Sequence, residues 1–233
     1  MLPQLAELKG AALSFLFPQR CVGCGREGDY ICHSCRISLT KIEPPVCPLC
    51  GRPQSGGLVC SGCYNWQADI DGIRSAFRFD GVIRKAIHEF KYQNLRAIAS
   101  TLAQLMNEYL VANPIPGEVL VPVPLHNKRL RERGYNQSGL LAKELGHLAE
   151  LTVNDSCLVR NIYNLPQAKT SNVEERRHNV KGIFTCRGDA LKGKDVLLID
   201  DVATSGATLN ACATALKLAG ARSVWGLTLA REI

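Results

Sequence analysis

Nowhere does this chain contain an apolar run long enough to cross a bilayer: the longest, from Ala11 to Phe17, falls far short of the roughly 20 residues a spanning helix needs. No small-residue cleavage site follows that run, and Glu7 and Lys9 precede it in the same helical pattern, so it does not read as a secretion signal. An acidic excess is missing too. Lys and Arg number 28 against 21 Asp and Glu, and the resulting +7 favours anionic partners without proving a nucleic-acid footprint on its own. A nucleotide P-loop is also lacking. Gly188 to Lys194 spells G-x-x-x-x-G-K, but Asp195 stands where Ser or Thr belongs, and the segment leads into a strand instead of joining strand to helix. The expectation is a cytoplasmic protein with no transmembrane segment, whose 233 residues suit one large domain and something small.

What the chain has in quantity is cysteine, eleven in all, eight of them in four Cys-x-x-Cys pairs. The pairs are Cys21 and Cys24, Cys32 and Cys35, Cys47 and Cys50, and Cys60 and Cys63. Each pair makes a tight knuckle whose thiolates converge on one ion, so two pairs complete a tetrahedral zinc site and four pairs make two structural sites. Seven residues separate the first two pairs and nine the last two, so sequential closure needs shorter loops than a crossed arrangement. Spacing favours sequential pairing without fixing it. Disulfides suit oxidising compartments, which the missing signal argues against, and regular pairs suit closed structural sites better than an iron–sulfur cluster. The segment is too short and too polar to build a core, so metal binding must supply most of its folding free energy.

Ahead of the knuckles, Leu2, Leu5, Leu8, Ala12, Leu13 and Leu16 recur at helical spacing and Pro18 ends the run, which predicts an amphipathic helix over residues 1–17. It reads as a packing element. Its polar face lacks the Lys and Arg of membrane-surface helices, and partner docking is the alternative. A zinc-ribbon module over 18–68 and a larger domain over 69–233 complete the expected organisation, with the boundary near Trp66 to Asp71, where cysteines give way to alternating apolar residues.

In the larger domain, Ser75 to Phe79 predicts a strand, Val82 to Tyr92 and Leu95 to Ala112 two helices, and Val119 onward a strand cut short by Pro122 and Pro124. The densest basic stretch comes next, His126 to Ser138, with Arg129, Arg131 and Arg133 as candidate anion contacts, and a helix of Leu140, Leu141, Leu145 and Leu148 follows it. Residues 158–161 resist classification. Ser171 to Val180 has a helix-capping pattern, Ile183 to Cys186 reads as a strand, and Ser223 to Ala230 as the last one. Alternating strands and helices predict an α/β fold with a mostly parallel sheet covered by helices on both faces, and ligands of such sheets sit at the carboxyl ends of strands.

The sharpest signal occupies residues 196–208. Val196, Leu197, Leu198 and Ile199 read as a strand buried on both faces, and Asp200 and Asp201 are expected where that strand leaves the core and meets solvent. Ala203, Thr204, Ser205, Gly206, Ala207 and Thr208 form a small, hydroxyl-rich loop before a helix running to Gly220. Backbone N–H groups and a helix N-terminus beside two carboxylates suit a phosphosugar: the loop takes phosphate, and the carboxylates take sugar hydroxyls or hydrated magnesium.

This segment closely resembles the binding motif for 5-phosphoribosyl-1-pyrophosphate (PRPP) in type I phosphoribosyltransferases. Knuckles, then Val-Pro-Val-Pro-Leu and Arg133-Gly134-Tyr135-Asn136-Gln137, then the PRPP motif, together with Gln167, Arg177, Asn179, Val180 and Phe184, are similar to the ComF family of competence proteins. The resemblance implies a type I phosphoribosyltransferase fold behind a double zinc ribbon, with a role in DNA uptake and the handling of incoming single-stranded DNA. It implies that Asp200 and Asp201 face the ribose hydroxyls and magnesium, that residues 203–208 hold the 5-phosphate, and that the turn after Val121 occupies the place of the pyrophosphate loop. If transfer occurs, loss of pyrophosphate leaves an oxocarbenium-like centre, and catalysis is electrostatic without a protein nucleophile. Three functions stay open: a PRPP-binding protein or a phosphoribosyltransferase with unknown acceptor, a nucleic-acid handler that also uses Tyr64 and Trp66 for stacking, and a zinc-ribbon adaptor.

Overall fold

The structure is a computed structural model that describes residues 19–162 and 182–233. The expected N-terminal helix and the capped segment 171–180, with Gln167, Arg177, Asn179 and Val180, lie outside the described residues. In chain order, α1 (His33–Ile37) lies among the first knuckles, and β1 (Gly72–Arg78) opens the larger domain. Then come α2 (Gly81–Tyr92), α3 (Ile98–Ala112), β2 (Val119–Pro122), α4 (Asn127–Arg133), α5 (Gln137–Ala149) and the short β3 (Thr152–Val153). The hairpin strands β4 (Leu158–Arg160) and β5 (Phe184–Cys186) precede β6 (Asp195–Ala203), α6 (Ala207–Leu218) and β7 (Ser223–Arg231).

Five strands form one sheet in the order β1-β7-β6-β2-β3, every neighbouring pair parallel. The antiparallel pair β4-β5 stands apart as a two-stranded flap. A side-chain period of two on β6 feeds two separate cores. Leu197 and Ile199 join Ile83, Ile87 and Phe90 of α2, Leu102 and Met106 of α3 and Leu141 and Leu145 of α5 on one face. Val196 and Leu198 meet Leu209, Cys212 and Leu216 of α6, with Leu158 and Phe184 of the flap, on the other. Both faces are dry, which explains the unbroken apolar run.

Two expectations change here. The strand does not end at Ile199 but continues to Ala203, in register with β7 as far as Arg231, so the acidic pair lies inside the sheet. The basic stretch after β2 is a helix of its own, α4, whose first turn is closed by His126 Nδ1 accepting from the Lys128 N–H at 3.2 Å. Gly134, at φ 78°, ends it by donating to the Leu130 carbonyl. Residues 158–161, ambiguous in sequence, owe their strand to pairing with β5, a contact made across an interval of chain.

The knuckle module packs on the larger domain through backbone bonds. Ile42 N–H donates to the Ala76 carbonyl, Arg78 N–H to Thr40 and Ile73 N–H to Leu49, all along the outer side of β1. Gly51, at φ 73°, has no room for a side chain, because a Cβ there would strike the Ile73 carbonyl. On the far side of the core, Phe90 is fully buried and its carbonyl accepts the Tyr135 hydroxyl, which joins α2 to the start of α5. Phe90→Ala should therefore lower unfolding stability by about 3–5 kcal/mol, the usual cost of truncating a buried aromatic, measured as the shift in urea midpoint of the zinc-loaded protein.

Candidate functional site

The eight knuckle cysteines fall into two clusters, Cys21, Cys24, Cys32 and Cys35, and Cys47, Cys50, Cys60 and Cys63, with sulfur atoms in each lying within 4.8 Å of one another. Pairing is sequential. In each cluster a tight turn returns the chain: Gly25 N–H donates to Cys21 and Gly51 N–H to Cys47. Backbone donors also reach sulfur, Cys32 N–H to Cys21 Sγ at 3.4 Å and Cys60 N–H to Cys47 Sγ at 3.5 Å. Burial raises the Cys21 and Cys47 thiols, but backbone N–H groups outweigh it and bring each down to about 6. Four converging thiols in each cluster fit a tetrahedral ion, so the two sites are consistent with two zinc ions.

At the carboxyl end of β6, Asp201 does not meet solvent. It is 2% exposed, and its carboxylate pairs with Lys91 Nζ of α2 at 2.8 Å. Asp200 Oδ1 accepts from Ser138 Oγ of α5 at 2.7 Å and from the Asp201 N–H at 2.9 Å. Burial first and the neighbouring Asp201 charge second raise the Asp200 carboxyl to about 7, against the opposing pull of Lys91, Ser138 and the backbone. Two adjacent carboxylates share too little positive charge. A divalent cation or a ligand hydroxyl would relieve that shortage.

The loop then turns at Gly206, φ 79°, where a Cβ would lie 2.8 Å from Ile73 Cδ1 and 3.1 Å from Trp66 Cη2. Ser205 Oγ accepts from Ala207 N–H at 3.3 Å, so this hydroxyl is spent on the turn. Thr204 and Thr208 are exposed, whereas Ala203 and Ala207 are buried beneath them. Trp66 is therefore partly buried against the loop and not an open stacking surface, while Tyr64 is 82% exposed.

Arg129, Arg131 and Arg133 line a cavity of about 570 Å³ with Lys91, Tyr92, Asn94, Arg96 and Tyr135. Arg133 bonds Gln137 Oε1 and lies 5.5 Å over the Tyr92 ring, and Arg96 lies 4.7 Å over Tyr135. None of residues 203–208 lines this cavity. Lys91 belongs to both places, facing the cavity and pairing with Asp201. Lys91, Ser138 and Arg96 escaped the sequence reading, as did Arg160 of the flap, whose guanidinium lies within electrostatic reach of Asp200 and Arg129. Lys91 had a legible signal, a cation in the last turn of an amphipathic helix, but nothing local tied it to an aspartate more than a hundred residues away.

A parallel sheet with helices on both faces, an acidic pair followed by a small loop and helix, and two four-cysteine knuckle sites define an α/β domain joined to a double cysteine-knuckle module. Residues 12–64 match the double zinc ribbon domain family. The competence protein ComFC of Bacillus subtilis (strain 168) is 34% identical over 212 residues, covering 88% of this chain and 85% of that protein. The chain belongs to the ComF family. The DNA utilization protein YhgH of Salmonella typhi is 28% identical over 210 residues, covering 87% of this chain and 91% of that one. Among solved structures, a purine phosphoribosyltransferase from Pyrococcus horikoshii is 19% identical over 56% of this chain and 71% of its own, at a TM-score of 0.36. No helix among the described residues is long and apolar enough to cross a membrane.

Folded Asp200 keeps its proton to about pH 7, whereas the unfolded carboxyl releases it near 3.8, so its stabilising contribution is full below 3.8 and is lost as pH rises through about 7. Asp200→Asn retains an acceptor for Ser138 without the titration. Its thermal midpoint should exceed the wild type's by more at about pH 8 than at about pH 5; a gap that does not change with pH would contradict the raised pKa.

Proposed function

We propose that this protein binds PRPP or a related ribose phosphate together with magnesium, and that it serves DNA uptake by handling incoming single-stranded DNA. The observation that supports this reading best is the junction of β6 and α6. There, Asp200 and Asp201 stand next to a loop whose glycine cannot accept a side chain and whose Thr204 and Thr208 are exposed. On this reading residues 203–208 cradle the 5-phosphate with backbone N–H groups at the start of a twelve-residue helix. Asp200 and Asp201 take the ribose hydroxyls and hold magnesium, which supplies charge neutralisation at the pyrophosphate. Lys91 then exchanges its Asp201 partner for the ligand's negative charge, and Arg129, Arg131 and Arg133 offer guanidinium groups to the diphosphate from the adjoining cavity.

The DNA role draws support from the competence and DNA-utilization relatives and from the same basic cavity, where Tyr92 is 64% exposed beside Arg133. A single strand would offer the Tyr92 ring a base to stack on and the arginines a run of phosphates, whereas free PRPP has phosphates but no base. Phosphate contacts release counterions, so affinity for single strands should fall steeply with salt.

Titration calorimetry of the zinc-loaded protein with PRPP and magnesium should give a binding isotherm. In the Asp200→Asn/Asp201→Asn variant the affinity should drop about tenfold or more, the worth of lost charge-assisted contacts. No heat from the wild type at millimolar ligand would refute the ribose-phosphate reading. Independently, changing Arg129, Arg131 and Arg133 to Ala should flatten the log–log salt dependence of single-strand binding by about 0.7 per arginine, and unchanged affinity in that variant would count against the DNA role.

A further inference from the structure

Arg231, the last residue of β7, is 1% exposed, and its guanidinium is one of the largest fully buried side chains. Nη2 donates to the Thr204 carbonyl at 3.4 Å, but Nε and Nη1, buried like the rest, have no hydrogen-bond partner among the described residues. A charged group so placed is costly unless an opposite charge is close. The second knuckle cluster is the acidic group in reach: Cys50, Cys63 and Cys60 lie within electrostatic range of Arg231, as does the like-charged Arg52, and Trp66, which packs on that cluster, also touches the loop that Arg231 holds. Four thiolates around a divalent zinc carry a net charge of −2, spread over sulfur atoms that accept long hydrogen bonds, which suits the free N–H groups of a guanidinium.

Arg231 also lies against the loop. It pairs with Ala203 across the sheet, Glu232 N–H donates to the Ala203 carbonyl, and the side chain holds the carbonyl of Thr204. A second link is apolar: Trp66 N–H donates to the Cys63 carbonyl while its ring fills the space beside Gly206. The first cluster packs elsewhere, with Gly23 against Val82 and Lys85 at the start of α2.

We propose that Arg231 is the buried counter-charge of the centre formed by Cys47, Cys50, Cys60 and Cys63, and that through Thr204 it couples the occupancy of that centre to the shape of the loop at residues 203–208. The second zinc is then a support of the anion loop, and the first is not. The coupling holds whatever the loop binds, since no ligand enters it.

The test uses the full zinc-loaded chain and two readouts that need no activity: zinc release to a chromogenic chelator, and amide hydrogen exchange at residues 203–208. Arg231→Met keeps the volume and loses the charge, and it should weaken zinc at the second centre about ten- to hundredfold, the usual cost of removing an outer partner of a metal site. Arg231→Lys should recover part of that loss. Wild-type zinc retention in the Met variant, or a Lys variant no better than Met, would overturn the counter-charge. Should Arg231→Met fail to fold, Cys60→Ser weakens the same centre with Arg231 in place. Faster exchange at 203–208 in Cys60→Ser, but not in Cys24→Ser at the first centre, is the expected result, and equal exchange in the two would refute the coupling.

Discussion

Two adjacent carboxylates in the last half of a strand buried on both faces, one of them almost wholly buried, need partners from the protein, and two helices supply them. Lys91 arrives from the last turn of α2 and Ser138 from the first turn of α5, one for each aspartate. Burial first, and one cation for two carboxylates second, leave a deficit, visible in the raised Asp200. On the reading proposed above, a divalent cation or a hydroxyl-rich ligand would relieve that deficit.

Much of this was legible in the chain before any coordinates. The apolar run 196–199 announced a doubly buried strand because both faces of β6 do face separate cores, and the period-3.6 spacing of Ile83, Ile87 and Phe90 named the buried face of α2. The knuckle pairing was favoured by loop length and the clusters have it. What the chain concealed was of two kinds. The strand ran on through Asp200 and Asp201 because β7 offers partners as far as Arg231, and hydrogen-bonded register overrides the preference of aspartate for exposed ends. The partners of the site, Lys91, Ser138 and Arg160, come from three separate elements, and no local pattern encodes a meeting that only tertiary packing creates.

The basic stretch shows the same limit at shorter range. Its composition was plain, but its conformation depended on His126 closing the first turn and Gly134 the last, so that three arginines at every second position fan around a short helix instead of lining a loop. Fanning is what lets Arg133 reach the Tyr92 ring while Arg129 and Arg131 line the same cavity from other directions. A loop would have put similar charge in the same place with less constraint on direction.

The backbone bonds that residues 40–49 make to β1 have a consequence for solubility. β1 is the outermost strand of a parallel sheet, and a strand left unpaired on one side is a template for another chain. Here that side is occupied by the knuckle module, whose second half has a core of little more than its cysteines and whose two four-cysteine sites would fix its shape once a metal is bound. A chain made faster than zinc is delivered would therefore present an open, apolar sheet edge to its neighbours. Its tendency to aggregate would follow the metal supply of the cell, independently of how firmly the larger domain itself is folded.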